Sequence, residues 1–95
     1  MTKETTSAFD AADYLKTSED QAAFLAAALE DYDPAHFRRA LNAVARAQGM
    51  SEIADMAGVS RQGLYKALSE DGDPRLSTLV GVLKALGIKM TLEAA

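Results

Sequence analysis

Arg61 and Gln62 stand side by side in the stretch "VSRQGLYKALS", residues 59–69, with Tyr65 and Lys66 one helical turn further on. Arginine donates two parallel hydrogen bonds to N7 and O6 of guanine, and glutamine pairs in the same bidentate way with N6 and N7 of adenine. Both are reactions of a side chain with a base edge in the DNA major groove. In a helix that turns Leu64 and Ala67 inward, the 3.6-residue period points Arg61, Gln62, Tyr65, Lys66 and Ser69 outward and leaves Ser60 as the N-cap. Ser60 and the free amides of the helix start suit phosphate oxygens. Lys66 reaches a base or a phosphate, and Tyr65 serves either DNA contact or packing beside a dimer interface. Gly63 is costly inside a helix, at about 1 kcal/mol. Its missing side chain lets the helix press close to the groove or lets another helix approach.

Positioning such a row requires a rigid element behind it. Residues 51–57 and 60–69 read as two short helices split by Gly58, a residue able to take the positive φ of a sharp turn. Small Ala54 lets one helix cross the other, and Ile53, Ala57, Val59, Leu64 and Ala67 are placed to lock the pair onto a core. All seven positions fit a helix-turn-helix.

The remaining elements are helical nearly throughout. "AFDAADYL", residues 8–15, forms a short helix. "TSEDQAAFLAAALEDYD" forms a second, with Ser18 and Gln21 at capping-box spacing and Ala22, Leu25, Leu29 and Tyr32 as its apolar stripe. Asp33-Pro34 starts a third helix that buries Phe37, Leu41 and Val44 and closes at Gly49, with Arg38, Arg39 and Arg46 on a solvated face. After the "SEDGDP" loop, "RLSTLVGVLKALG" uses Leu76, Leu79, Val80, Leu83 and Leu86 and stops at Gly87. "IKMTL" alternates apolar and polar residues and reads as one short C-terminal strand, which must pair with a second copy or with a partner's sheet edge. The expected fold is therefore all-α, with five to six helices and that single strand.

With 95 residues and 48% hydrophobic content, the chain makes one compact domain. It divides into an acidic N-terminal helical arm (1–33), a core (34–87, with the motif at about 50–69) and a C-terminal strand and tail (88–95). The net charge of −4 hides an asymmetry. Residues 1–33 hold two lysines against eight acids, whereas residues 34–95 hold eight bases against six acids. No cysteine is present, so disulfides and thiolate metal sites are excluded, in keeping with a reducing cytoplasm. No apolar run approaches the ~20 residues of a membrane span, and no basic-then-apolar leader opens the sequence. An enzyme is a poor fit. His36 is the one histidine, Asp71 and Asp73 are turn residues, and no metal-ligand spacing or phosphate-cradling glycine loop occurs.

Outside the motif, Arg75 heads the last helix, and Arg38, Arg39 and Arg46 support binding only if they turn toward the DNA backbone. With so few bases, specificity must rest on base contacts. A monomer reads too few of them. The expectation is a homodimer on an inverted repeat, with its two reading helices about one DNA turn apart.

The order of elements resembles the antitoxins, or antidote proteins, of bacterial type II toxin–antitoxin addiction modules that carry a lambda-repressor-like helix-turn-helix. The resemblance spans about residues 8–93 and is carried by "FDAADYL", "FLAAALED", "ALNAVARAQGMSEIADMAGVSRQGLYKALSEDGDP" and "LVGVLKALGIKM". It implies a cytoplasmic, cofactor-free protein that neutralises a small RelE/ParE-type toxin and represses its own promoter as a dimer. It also implies DNA-contact roles for Ser60, Arg61, Gln62 and Lys66. Glu52 departs from the pattern, standing close to where many such repressors place glutamine, and an acid there repels phosphate. The acidic arm supplies a separate physical argument, because a toxin that holds RNA must be basic. A stand-alone dimeric transcriptional repressor without a toxin is the alternative.

Overall fold

The computed structural model describes residues 14–95. Five helices occur among them: α1 (Ser18–Ala28), α2 (Pro34–Gln48), α3 (Met50–Ala57), α4 (Arg61–Ala67) and α5 (Leu76–Ala85). The fold is all-α. The helix expected over residues 8–15 lies outside the described residues, apart from its last two positions. There, Leu15 is buried in the core.

α1 starts one residue away from the expected capping box. Thr17 is the N-cap, its hydroxyl accepting the Asp20 amide at 3.0 Å. Gln21 therefore has no capping role, and its helical phase turns it inward beside Leu25 and Ala28. Buried there, its Nε2 donates to the Leu15 carbonyl and to Gln48 Oε1, both at 3.1 Å, tying the N-terminal segment to the end of α2. Leu29 and Tyr32, expected on the apolar stripe, are exposed because the helix ends at Ala28 and the chain turns away.

α2 follows its sequence signals closely. The Asp33 carboxylate accepts the Ala35 amide at 3.0 Å, and Pro34 occupies a position whose missing N–H costs nothing. Leu41, Val44 and Ala45 face the core, with Phe37 half-buried, and Gly49 closes the helix.

α3 and α4 meet at a tight turn. Gly58 takes the left-handed conformation (φ 78°), its N–H donating to Asp55 while Val59 N–H reaches back to Ala54 at 3.0 Å. This satisfies the last carbonyls of α3 and redirects the chain into α4. Ile53, Ala54, Leu64 and Leu68 are buried, and Ala57, Val59 and Ala67 are half-buried against them.

α5 packs across α3, and the contact depends on Gly81. A Cβ at that position would lie 3.2–3.3 Å from the carbonyl, Cα and Cβ of Ala57. The buried stripe of α5 is Val82, Leu83 and Leu86 with Leu79 half-buried, so Leu76 and Val80, expected inside, are exposed. The helix is apolar on most sides, and periodicity alone does not choose its inner face.

The C-terminal strand expected at 88–92 is not formed, and there is no strand among the described residues. Ile88 donates its amide to Leu83 at 2.9 Å, as part of the left-handed Gly87 cap on α5. Beyond it no neighbouring strand occurs among the described residues, and a lone strand cannot satisfy its backbone. No helix among the described residues is long and apolar enough to cross a membrane.

Gly81→Val tests the crossing of α3 and α5. Overpacking at such a contact costs about 1–3 kcal/mol, visible as a lower melting temperature by circular dichroism. An unchanged melting curve would show that the two helices do not touch there.

Candidate nucleic-acid interface

Only seven residues long, α4 is too short to persist by itself, and its geometry is imposed at both ends. At its start, the Ser60 hydroxyl accepts the Gly63 amide at 2.9 Å. At its end, Arg38 of α2 donates from Nε to the Ser69 carbonyl at 2.7 Å and from Nη2 to the Glu70 carbonyl at 2.5 Å. One turn along α2, the Asn42 amide reaches the Leu68 carbonyl at 3.4 Å. Both acceptors of Arg38 lie in the turn just past α4, so the guanidinium pins the chain as it leaves the helix, where a positive charge also complements the negative end of the dipole. Arg38 is thus a positioning residue, not a member of the solvated arginine face expected for it.

With both ends fixed, Arg61, Gln62, Tyr65 and Lys66 are all exposed on the outer side of α4. The structure brings Arg39 and Arg46 to the same place. A groove of about 600 Å³ runs between α2 and α4, lined by Arg39, Asn42, Arg46, Gln62, Tyr65 and Lys66. A smaller recess of about 110 Å³ adjoins it between Arg46, Met50, Arg61 and Tyr65. Tyr65 therefore forms a wall shared by the two depressions.

The charge in this region is one-sided. α2 carries three arginines and no acid, and α4 adds Arg61 and Lys66, again without an acid. Glu70 is the one acid lining the groove. None of Arg39, Arg46, Arg61 and Lys66 is paired with a carboxylate among the described residues. The sequence carried a signal for this: a helix with three arginines and no acid is conspicuous in a chain of net charge −4.

The other sequence-predicted positions lie at the margins. Ser69 turns its hydroxyl back onto the Lys66 carbonyl at 2.7 Å, closing the last turn of α4. Arg75, exposed ahead of α5, lines a separate depression with Gly63, Lys66, Asp71 and Asp73. Glu52 is exposed in the first turn of α3. Gly63 is exposed, and a Cβ there would approach just one group, the Ser60 hydroxyl oxygen at 2.9 Å. Among the described residues no second helix comes close to it. Of the two reasons considered for this glycine, helix-to-helix proximity is removed.

The geometry defines an all-helical arrangement in which Arg39, Arg46, Arg61 and Lys66, none paired with a carboxylate among the described residues, gather around the groove between α2 and α4. Residues 5–94 match the protein family described as "Probable addiction module antidote protein", and the chain belongs to that family. It is also 40% identical over 85 residues to an uncharacterized protein of Haemophilus influenzae strain Rd, covering 90% of this chain and 88% of that one. No solved structure matches.

Replacing Arg38 by Met should lower stability by about 1–2 kcal/mol, the loss expected when charged-donor hydrogen bonds are removed. Arg39→Met, on the open side of the groove, should stay within about 0.5 kcal/mol of the parent. Urea unfolding of the two variants measures the contrast. Equal stabilities would show that Arg38 does not hold α4 in place.

Proposed function

We propose that this protein is an antitoxin that neutralises a small, basic RelE/ParE-type toxin and also represses its own operon. In this reading it binds operator DNA as a homodimer on an inverted repeat, through α3 and α4 acting as a lambda-repressor-like helix-turn-helix. It works in the cytoplasm by binding alone, without cofactor or catalysis. Membership of the antidote family supports the toxin partner. The observation that carries the DNA reading is the groove in which unpaired Arg39, Arg46 and Lys66 flank Gln62 beside Arg61.

The groove supplies two kinds of contact. Arg61 and Gln62 project from the first turn of α4 and carry the donors that distinguish guanine and adenine. Arg39 and Arg46 lie on the neighbouring helix, where their guanidinium groups suit phosphates and fix register without reading sequence. The bare surface at Gly63 lets α4 approach the groove floor closely. Ser60 retains its hydroxyl proton for a phosphate while its oxygen caps the helix.

The toxin-facing side in this reading is the acidic turn between α1 and α2. Tyr32 holds a left-handed backbone (φ 56°) and is 85% exposed. A non-glycine residue in that region costs about 1–2 kcal/mol, offset here by a net of turn hydrogen bonds. The Asp33 amide donates to Asp31 Oδ1 at 3.1 Å, and His36 Nδ1 donates to Asp31 Oδ2 at 2.8 Å. The His36 contact first, and the Asp33 amide second, hold the Asp31 carboxyl below the usual carboxylate range. Asp31 thus remains ionised into mildly acidic conditions, and with Glu30 and Asp33 it keeps the turn negative.

Fluorescence anisotropy with the DNA upstream of the gene tests the repressor half. Arg61→Ala combined with Gln62→Ala should cost about 30-fold or more against the operator and leave binding to unrelated DNA unchanged. Arg39→Met and Arg46→Met should weaken all sequences alike, each lowering the log–log salt slope by about 1.8, since a homodimer loses the contact twice. For the toxin half, the adjacent small basic protein should arrest growth alone and co-purify with this chain. Glu30→Lys with Asp31→Lys should weaken that capture and spare DNA binding. A protein that binds its promoter but captures no toxin would instead be a stand-alone repressor.

A further inference from the structure

We infer that residues 89–93 are the contact between two copies of this chain, paired antiparallel about a two-fold axis at Thr91. The inference rests on the DNA-binding reading for its purpose, since an inverted repeat needs a second copy of α4. It rests on the segment's own structure and sequence for its location.

The first observation is a backbone without partners. The Gly87 cap fixes where this segment begins, with Ile88 N–H on Leu83. From Lys89 to Ala95 no backbone group is hydrogen-bonded within the chain among the described residues. The second is an apolar surface that the segment shares with α5. Leu76 (75% exposed), Val80 (54%), Met90 (49%) and Leu92 (92%) are all open to solvent. Leu76, Val80 and Met90 border one concavity of about 400 Å³. Apolar side chains gathered in this way call for a cover.

The third observation selects a second copy as that cover. Residues directly opposite in an antiparallel pair share a face of the sheet. With the axis at Thr91, Lys89 faces Glu93 of the partner subunit, Met90 faces Leu92 of the partner subunit, and Thr91 faces its own counterpart. Opposite charges, paired apolar groups and Thr–Thr contacts are the favourable cross-strand combinations. Moving the axis to Met90 keeps apolar groups opposed, Met90 on its own counterpart and Ile88 on Leu92 of the partner subunit, but sets lysine against threonine; moving it to Leu92 sets threonine against glutamate and lysine against alanine. Axes between residues oppose apolar to polar side chains along the whole segment. Of these registers only the Thr91 one adds opposite charges to the matched apolar face, and it does so about its own two-fold axis, as an isologous interface demands. Met90 on that face borders the exposed surface of α5.

Sedimentation equilibrium on the full chain tests the pairing. Lys89→Glu, or Glu93→Lys, sets like charges opposite each other in both symmetry-related pairs and should weaken the dimer roughly tenfold. Combining the two reversals restores the pairs and should return the dimer to near parental strength. In this cysteine-free chain, Thr91→Cys should form a disulfide-linked dimer on oxidation, while Lys89→Cys should not. Circular dichroism checks that each variant keeps its helices. A monomeric parent, a double reversal no better than the singles, or an unlinked Thr91→Cys overturns the inference. So does a Lys89→Glu variant that self-associates normally but loses capture of the neighbouring-gene protein, which would assign the segment to that partner. Promoter binding is read separately. A dimer with this register that ignores promoter DNA leaves the interface standing and removes the repressor reading. A monomer that binds promoter DNA does the reverse.

Discussion

A seven-residue helix cannot hold itself in water, and the arrangement of the whole basic face follows from how this one is held. Leu64 and Leu68 sink into the core, Ser60 caps the start, and Arg38 with Asn42 grips the carbonyls at the end. Those last two side chains come from α2, so the helix that clamps α4 is also the one that lies beside it. That is why Arg39 and Arg46, on the same helix, reach the groove. α2 supplies the positioning contacts and three of the five cations of the two helices.

The same economy is visible on a larger scale in the placement of charge. α2 and α4 carry five cations and no acid, while α1 begins with Glu19 and Asp20 and the turn after it holds Glu30, Asp31 and Asp33. A chain of net charge −4 thereby presents two surfaces of opposite sign. A cationic surface attracts a polyanion, and an acidic one attracts a basic protein. The two halves of the proposed function need this separation, because a single mixed surface would serve neither partner.

Local signals mark the helices well where the chemistry is local. Asp33-Pro34, Gly49, Gly58 and Gly87 mark starts and stops because a cap or a left-handed turn involves only a few neighbouring residues. Which side of a helix faces inward is harder to read. α5 is apolar on most sides, so Leu76 and Val80 passed for core, and the inner face is set by the close approach of Gly81 to Ala57. Gln21 shows the same limit: at capping-box spacing it suggests a cap, yet its phase buries it against Leu15 and Gln48. The outward row on α4 was legible from the helical period. The clamp by Arg38 was not, because its partners lie 31 and 32 residues away. The absent strand has a similar cause, since pairing is a property of two segments and the sequence displays one.

The most direct measurement is an amide chemical-shift map of the 15N-labelled protein titrated with the DNA upstream of its own gene. The account predicts shifts concentrated on the outer side of α2 at Arg39, Asn42 and Arg46 and on α4 from Arg61 to Lys66, shrinking as salt is raised. Shifts centred instead on α1 and the Tyr32 turn, or none at any salt concentration, would contradict it.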